Sequence, residues 1–156
     1  MEIEHCNRAD FQSILRDQED FWGSNRAASV HHPMFIEEFG ATAFVVRAET
    51  RIAAYLFGFF VPASKYFYIH LVAVREEMRG NGFAARLYDH VERLCSANGV
   101  KQIKAVTPPT NKISLDFHLK RGFEVTGLEE KDGVSFVPNY SGAGRHMSLL
   151  FKTLDS

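Results

Sequence analysis

The feature that most constrains this chain is a pair of glycines set between a strand and a helix. Tyr66–Val74 reads YFYIHLVAV, aromatic and β-branched with one histidine and no acid, the composition of a buried strand. The run Arg75-Glu76-Glu77-Met78 follows, then Arg79-Gly80-Asn81-Gly82-Phe83-Ala84. Beyond it Ala84, Leu87, Tyr88, Val91, Leu94 and Cys95 recur at helical spacing. The glycines therefore open a helix. Such an entrance presents backbone N–H groups without intrahelical partners and the positive end of the peptide dipoles, a setting that suits phosphate. Glycine keeps side chains from holding a diphosphate away from those groups.

The rest of the chain supplies a frame for this loop. Glu2 to Cys6 is a short strand candidate, and Asn7 or Asp10 can cap a helix with the stripe Phe11, Ile14, Leu15, Phe21 and Trp22. A polar stretch over 23–30 and His31-His32-Pro33 lead to a short helix, 34–39, stopped by Gly40. Strands at 42–48, 52–61 and 66–74 are joined by short connections, as in an antiparallel meander. After the glycine loop come a helix, a strand at 100–107, a helix at 112–121, a strand at 123–127 and, past a loop with Gly133, Pro138, Gly142 and Gly144, a strand at 146–152. The expected fold is α/β (α+β), a mixed central sheet with helices on both faces, in a single domain over 1–156.

Composition excludes several classes of function. Net charge is −1 with no basic run, so neither nucleic acid nor an anionic membrane is an indicated partner. The two cysteines, Cys6 and Cys95, lack metal-ligand spacing, which speaks against a disulfide framework and a metal site. No apolar run is long enough to span a bilayer and the N-terminus carries no apolar signal region, so a cytoplasmic protein is expected. Fourteen phenylalanines fit a well-filled core with aromatic-lined space.

Gly80-x-Gly82-x-x-Ala85 also satisfies the loose dinucleotide fingerprint. Four charged or bulky residues separate it from its strand, and no acidic residue ends the next strand to hold a ribose. Arg79-x-x-Gly82-x-Ala84 instead resembles the acyl-CoA pyrophosphate loop of the GNAT superfamily of N-acetyltransferases. A second segment, Asn111-Lys-Ile-Ser114-Leu-Asp-Phe117-His118-Leu-Lys-Arg-Gly122-Phe123, is similar to that family's Asn-x-x-Ser/Ala-x-x-Phe-Tyr-x-x-x-Gly-Phe. The order of elements also matches, so the resemblance covers essentially the whole chain.

The resemblance implies acetyl-CoA as cosubstrate and the GNAT fold. Val72 and Val74 would pair through their main chain with pantetheine, acting as a pseudo-strand; Arg79, Gly80, Asn81, Gly82, Phe83 and Ala84 would cradle the diphosphate. Asn111 would cap its helix, touch the cofactor, or both, and Ser114 either faces the pantetheine or is a tolerated small residue. His118 stands where the family has the tyrosine held to protonate the departing thiolate. It is either that general acid or a ring packed beside the cofactor. Many relatives place a catalytic glutamate on the fourth strand, but no acidic residue lies between Arg51 and Arg75.

Tyr68 and His70, two apart on one face, take that place and resemble the histidines of arylalkylamine acetyltransferases. His70 is the candidate base, oriented by Tyr68, or else a core residue. Trp22, His31, His32, Phe35 and Tyr140 fall in regions that line the acceptor site in relatives. The expected reaction is direct acetyl transfer to a primary amine, preferentially of a small molecule. The alternatives are a non-catalytic acyl-CoA-binding module and a protein or peptide N-acetyltransferase. Dimers are common in the family, so a homodimer is compatible.

Overall fold

Asn7 shows how local chemistry sets the chain's first turn. Its side chain accepts from the Asp10 amide at 2.8 Å, and the Asp10 carboxylate accepts from the Asn7 amide at 3.1 Å, a reciprocal capping box. The helix it opens, α1 (Arg8–Arg16), follows the first strand, β1 (Ile3–His5). In this computed structural model, which describes residues 2–155, the expected long helix is two. The chain breaks at Asp17 (φ −99°, ψ 25°), and α2 (Gln18–Trp22) runs on to a left-handed Gly23. The apolar stripe survives the break, because Phe11, Ile14 and Phe21 are all buried.

Two compact units are present, one comprising the chain up to Phe59 with His70–Leu94, the other Phe60–Ile69 with Cys95 onward. In the first, β1 pairs antiparallel with β2 (Ala43–Ala48), Ile3 opposite Val46, and β2 with β3 (Arg51–Val61), Ala43 opposite Phe57. Its core gathers Phe11, Ile14, Phe21, Phe35, Tyr55, Phe57 and Leu71, each apolar chain stabilising by about 1.5–3 kcal/mol on burial. A short helix, α3 (Met34–Glu37), ends before Gly40, which opens a single 3₁₀ turn over Gly40–Thr42. The strand β4 (Tyr66–Val74) has the predicted bounds, and α4 (Phe83–Ala97) follows the glycine loop.

In the second unit β5 (Gln102–Thr107) pairs in parallel with β4 over Phe67–Ile69 and antiparallel with β9 (Ser148–Thr153), which also pairs with β6 (Glu124–Thr126). Between β5 and β6 lies α5 (Lys112–Lys120). The strand order β1-β2-β3-β4-β5-β9-β6 makes a seven-stranded mixed sheet, the α/β class expected. A hairpin absent from the sequence reading, β7 (Glu129–Lys131) and β8 (Val134–Phe136), fills part of the expected loop. Asp132 and Gly133 both have positive φ (53° and 80°), the geometry of a two-residue type I′ turn, for which Asp-Gly is a favoured pair. At Gly127 a Cβ would stand 2.3 Å from the Phe136 backbone, so only glycine allows β8 this close.

One buried cation ties the first unit together. Arg75, 2% exposed, follows β4 directly. Its Nε donates to the Ile52 carbonyl at 3.0 Å, Nη1 to Asp20 at 2.7 Å and Nη2 to Asp17 at 3.1 Å. The guanidinium also lies 4.6 Å from the centre of the Phe21 ring. Hydrogen bonds to charged groups are worth about 1.5–3 kcal/mol each, partly offset here by the solvent exposure of the two aspartates. Replacing Arg75 by Ala is therefore expected to cost about 2–4 kcal/mol in urea unfolding. Arg75→Lys should recover less than half of it, because an ammonium lacks the planar fork. A change below about 0.5 kcal/mol would show the network to be energetically neutral.

Candidate active site

The glycine loop leaves a row of main-chain donors open. Gly80 and Gly82 sit at φ +81° and +79°, and nothing lies within 4 Å of a Cβ built on either. Among the described residues the amides of Gly80 to Ala85 have no backbone partner outside the helix ladder, and Arg86 makes the first bond, to the Gly82 carbonyl at 3.0 Å. Asn81 turns its side chain inward, donating to the Met78 carbonyl at 2.9 Å, which braces the loop. These residues fit a diphosphate, which takes several N–H donors at a helix start. Arg79 is also bonded within the chain. Its Nη2 donates to the Phe21 carbonyl at 2.9 Å and its Nε to the Val74 carbonyl at 3.3 Å. It thus closes the end of α2 and anchors the loop, and it occupies one of the Val74 groups expected to meet pantetheine.

Burial alternates along β4: Phe67, Ile69, Leu71 and Ala73 are buried, while Tyr66, Tyr68, His70, Val72 and Val74 share the other, half-buried face. Pairing with β5 stops at Ile69 opposite Ala105. His70 to Val74 run past that register, which suits the main chain of Val72 and Val74 to another partner.

His70 is held from above and from one edge. The Phe35 ring stacks on it at 4.7 Å with 16° between planes, and the Val30 backbone lies within hydrogen-bonding influence of the ring. Burial pushes its pKa below the usual imidazole value, with the Val30 bond opposing. Val30 and Phe35 are two of the groups that hold this ring. Tyr68, whose phenol is raised to about 12 by burial and by the neighbouring Tyr140 and Tyr66, stays a protonated donor.

The nearby His31 differs in one respect. Its Nδ1 lies 2.7 Å from the Ala27 carbonyl and its Nε2 2.7 Å from the Tyr55 hydroxyl, which takes the Trp22 indole N–H at 2.7 Å. A carbonyl only accepts, so Nδ1 carries the proton and Nε2 accepts from Tyr55. Both nitrogens are spent. Burial, and after it the proximity of His70, keep His31 neutral. Tyr55, buried at the hub of this chain, was not singled out by sequence; only the polar handle on an otherwise apolar strand hints at it. His32 is exposed and accepts from the Met34 amide at 3.1 Å, a turn role.

In the second unit Asn111 caps α5, accepting from the Ser114 amide at 3.2 Å. His118 is 4% exposed, with Phe123 and Phe117 edge-on at 4.9 and 5.3 Å. Its Nδ1 stands 2.7 Å from the Ser114 carbonyl and 3.3 Å from the Ser114 hydroxyl. Burial holds its pKa below the usual value. The ring is neutral, and Ser114 holds its one proton.

Neither cysteine offers a nucleophile. Cys95 is fully buried, and burial, then the charge of Asp10, push the Cys6 thiol up to about 12. Among the described residues no group of three His, Cys, Asp or Glu side chains could hold a metal ion, and no helix is long and apolar enough to cross a membrane.

The acetyltransferase (GNAT) family model matches residues 9–123. The chain belongs to that family. It is an acetyltransferase that uses acetyl-CoA. Its fold is also that of solved structures: Ard1 from Thermoplasma volcanium (19% identity, TM-score 0.79, 99% of this chain and 98% of that one) and the ribosomal-protein-S18-alanine N-acetyltransferase from Escherichia coli (13%, 0.72, 99% and 94%). An aminoglycoside 6′-N-acetyltransferase complexed with coenzyme A matches as well (16%, 0.70, 100% and 98%). No curated protein matches the sequence.

For this acetyltransferase the loop geometry sets a first binding test. Gly82→Val places a β-branched residue at φ +79°, a strain of about 1–3 kcal/mol, and crowds the open amides. Circular dichroism should still report a folded protein while calorimetric titration no longer detects acetyl-CoA. Undiminished affinity would remove the loop from the cosubstrate site.

Proposed function

We propose that this chain, acting as one domain, transfers the acetyl group of acetyl-CoA directly to the primary amine of a small molecule, with His70 as the general base. The observation that carries this reading is the placement of the His70 ring, stacked on Phe35 at 4.7 Å on the strand face just before Val72 and Val74, where burial lowers its pKa. An attacking amine must lose a proton as its nitrogen bonds to the thioester carbon, and a neutral imidazole can take it. His31 has both nitrogens committed, to Ala27 and Tyr55, and His32 is exposed in a turn. The aromatic surroundings of His70 and the absence of a strong charge field favour a small amine over a charged peptide tail. Gly80 to Ala84 would hold the diphosphate, Asn81 bracing the loop and Arg79 anchoring it.

The sign of the pH dependence follows from burial. The His70 pKa lies below 6.5, and the neutral, proton-accepting fraction grows as pH rises through it. Log kcat/KM should therefore climb along an acidic limb centred below pH 6.5 and then level, once the amine's own titration is separated by varying its pKa. His70→Gln should remove that limb and slow the reaction about 10²–10⁴-fold, with acetyl-CoA affinity intact. A normal rate and an unmoved limb in His70→Gln would return His70 to the core. Running the assay on small amines and on peptides with free N-termini decides the acceptor class.

For His118 we propose a part different from the general acid that the resemblance implies. Protonating a thiolate requires an imidazolium, and burial opposes that charge while Ser114 engages the proton the neutral ring has. We assign His118 to packing the end of α5 between Phe117 and Phe123, with solvent protonating the thiolate. His118→Phe should then lower kcat less than tenfold. A loss of 10²–10⁴-fold, restored by His118→Tyr, would reinstate the general acid.

A further inference from the structure

The Tyr55 hydroxyl ties both ends of the loop between α2 and α3 to strand β3. Tyr55 is fully buried, with Phe21 edge-on to its ring at 5.0 Å. Before the loop, the Trp22 indole N–H donates to its oxygen at 2.7 Å. After the loop, the hydroxyl donates to His31 Nε2 at 2.7 Å. A hydroxyl carries one proton and two lone pairs, so one atom serves both bonds. A phenylalanine could fill the same space. What the oxygen adds is direction, since apolar packing is non-directional and a satisfied buried network fixes a unique arrangement.

The segment held in this way carries two groups that meet His70. The 3₁₀ turn Arg26–Val30 leads into His31. The His31 amide donates to the Ala28 carbonyl at 3.1 Å, and its Nδ1 donates to the Ala27 carbonyl at 2.7 Å. Beyond it Pro33 fixes its own φ, and the Phe35 amide returns to the His32 carbonyl at 3.1 Å. Val30 and Phe35 therefore stand on either side of His31 in a chain with little local freedom. The Phe35 ring lies nearly parallel to both Phe57 (6.1 Å, 17°) and His70 (4.7 Å, 16°), and the Val30 backbone engages the imidazole.

We propose that Tyr55 is a positioning residue for acetyl transfer: through His31 it sets the segment bearing Val30 and Phe35, and with it the His70 ring. This rests on the reading of His70 as general base and adds the residue that holds the base in place. Tyr55 itself exchanges no proton with the substrate. Burial pushes its phenol upward and pushes Cys6, which acts on it, up to about 12. His31, kept low by burial against the Ala27 bond and lowered further by His70, is neutral near pH 7 as well. Tyr68 shares the β4 face of His70 and stays protonated. Arg26 in the turn and Glu37 in α3 are exposed, bonded to Ser24 and Arg8.

The test reads His70 directly, by NMR titration of the imidazoles in histidine-labelled protein, its signal assigned through His70→Gln. In Tyr55→Phe we expect the His70 pKa to rise toward 6.5 as water reaches a loosened ring. The acidic limb of kcat/KM should move up with it, and kcat should fall about 10–100-fold while acetyl-CoA affinity holds. His31→Leu, which removes the acceptor, should reproduce these shifts and carries the test should Tyr55→Phe fail to fold. His31→Gln, whose amide can still accept from Tyr55, should keep the His70 titration and most of the rate. An unmoved His70 titration in Tyr55→Phe and His31→Leu would overturn the proposal, whatever the rate. So would a limb lost in His31→Gln, which would make His31 the titrating group. The two readings fail separately. If the His70 signal moves in both variants while His70→Gln turns over normally, Tyr55 orients His70 and the general base falls. If His70→Gln is slow and Tyr55→Phe is not, the base stands without Tyr55.

Discussion

The first unit depends on the Arg75 guanidinium. A residue that leaves a strand and turns into a loop would ordinarily face water, yet here the fork is buried against the Phe21 ring and bonded to Ile52, Asp17 and Asp20. These contacts fix the junction of α1 and α2, the start of β3 and the exit of β4 relative to one another. Arg79, four residues on, bonds the Phe21 carbonyl. The glycine loop is thus clamped between two arginines that both hold α2, and its open amides are set by packing within the chain before any cosubstrate arrives, the preorganisation that lowers the cost of binding.

The three histidines of interest share one physical cause and reach different ends. Burial is the leading reason that His31, His70 and His118 all fall below the usual imidazole range, so each is neutral near pH 7. What separates them is which nitrogen each neighbour takes. Ala27 and Tyr55 engage the two nitrogens of His31, the Ser114 carbonyl accepts from His118, and the Val30 backbone engages His70. Residue type and burial alone would rank the three alike; the carbonyl at each ring decides.

Much of this was legible from sequence where the determinant was local. The Asn7–Asp10 capping box, the bounds of β4 and the glycine-led start of α4 all follow from residues within one turn of each other. The hairpin at Asp132-Gly133 was equally local, and a signal for it was present in the Asp-Gly pair. Its flanking strands, Glu129–Lys131 and Val134–Phe136, are three residues each and show too little alternation to declare themselves. The break at Asp17 escaped because the apolar period runs through it, and only the pull of Arg75, 58 residues away, marks the site. The bonds of Arg79 to Phe21 and Val74 could not be read from sequence, because a motif records a residue's position and not its contacts. The Tyr55 hub and the surroundings of Lys104, a buried lysine bonded to the Tyr66 and Tyr140 hydroxyls, were invisible for the same reason: their partners lie far apart in sequence and meet only through strand register.

One absence in the sequence bears on the proposed base and, separately, on the surroundings of Lys104. From Ile52 to Val74 the chain has no acidic side chain. A carboxylate on the aromatic face of β4 would have to be desolvated, and its pKa would rise until it was a poor acceptor or it found a cation. An imidazole avoids the conflict, since its proton-accepting form is the uncharged one and burial favours it. The same lack of acid leaves Lys104, opposite Tyr68 in the β4–β5 register, with phenols for company. An acid at position 68 would stand opposite that lysine and pair with it. Tyrosine there keeps the face hydrogen-bonding but uncharged, its phenol held protonated by burial.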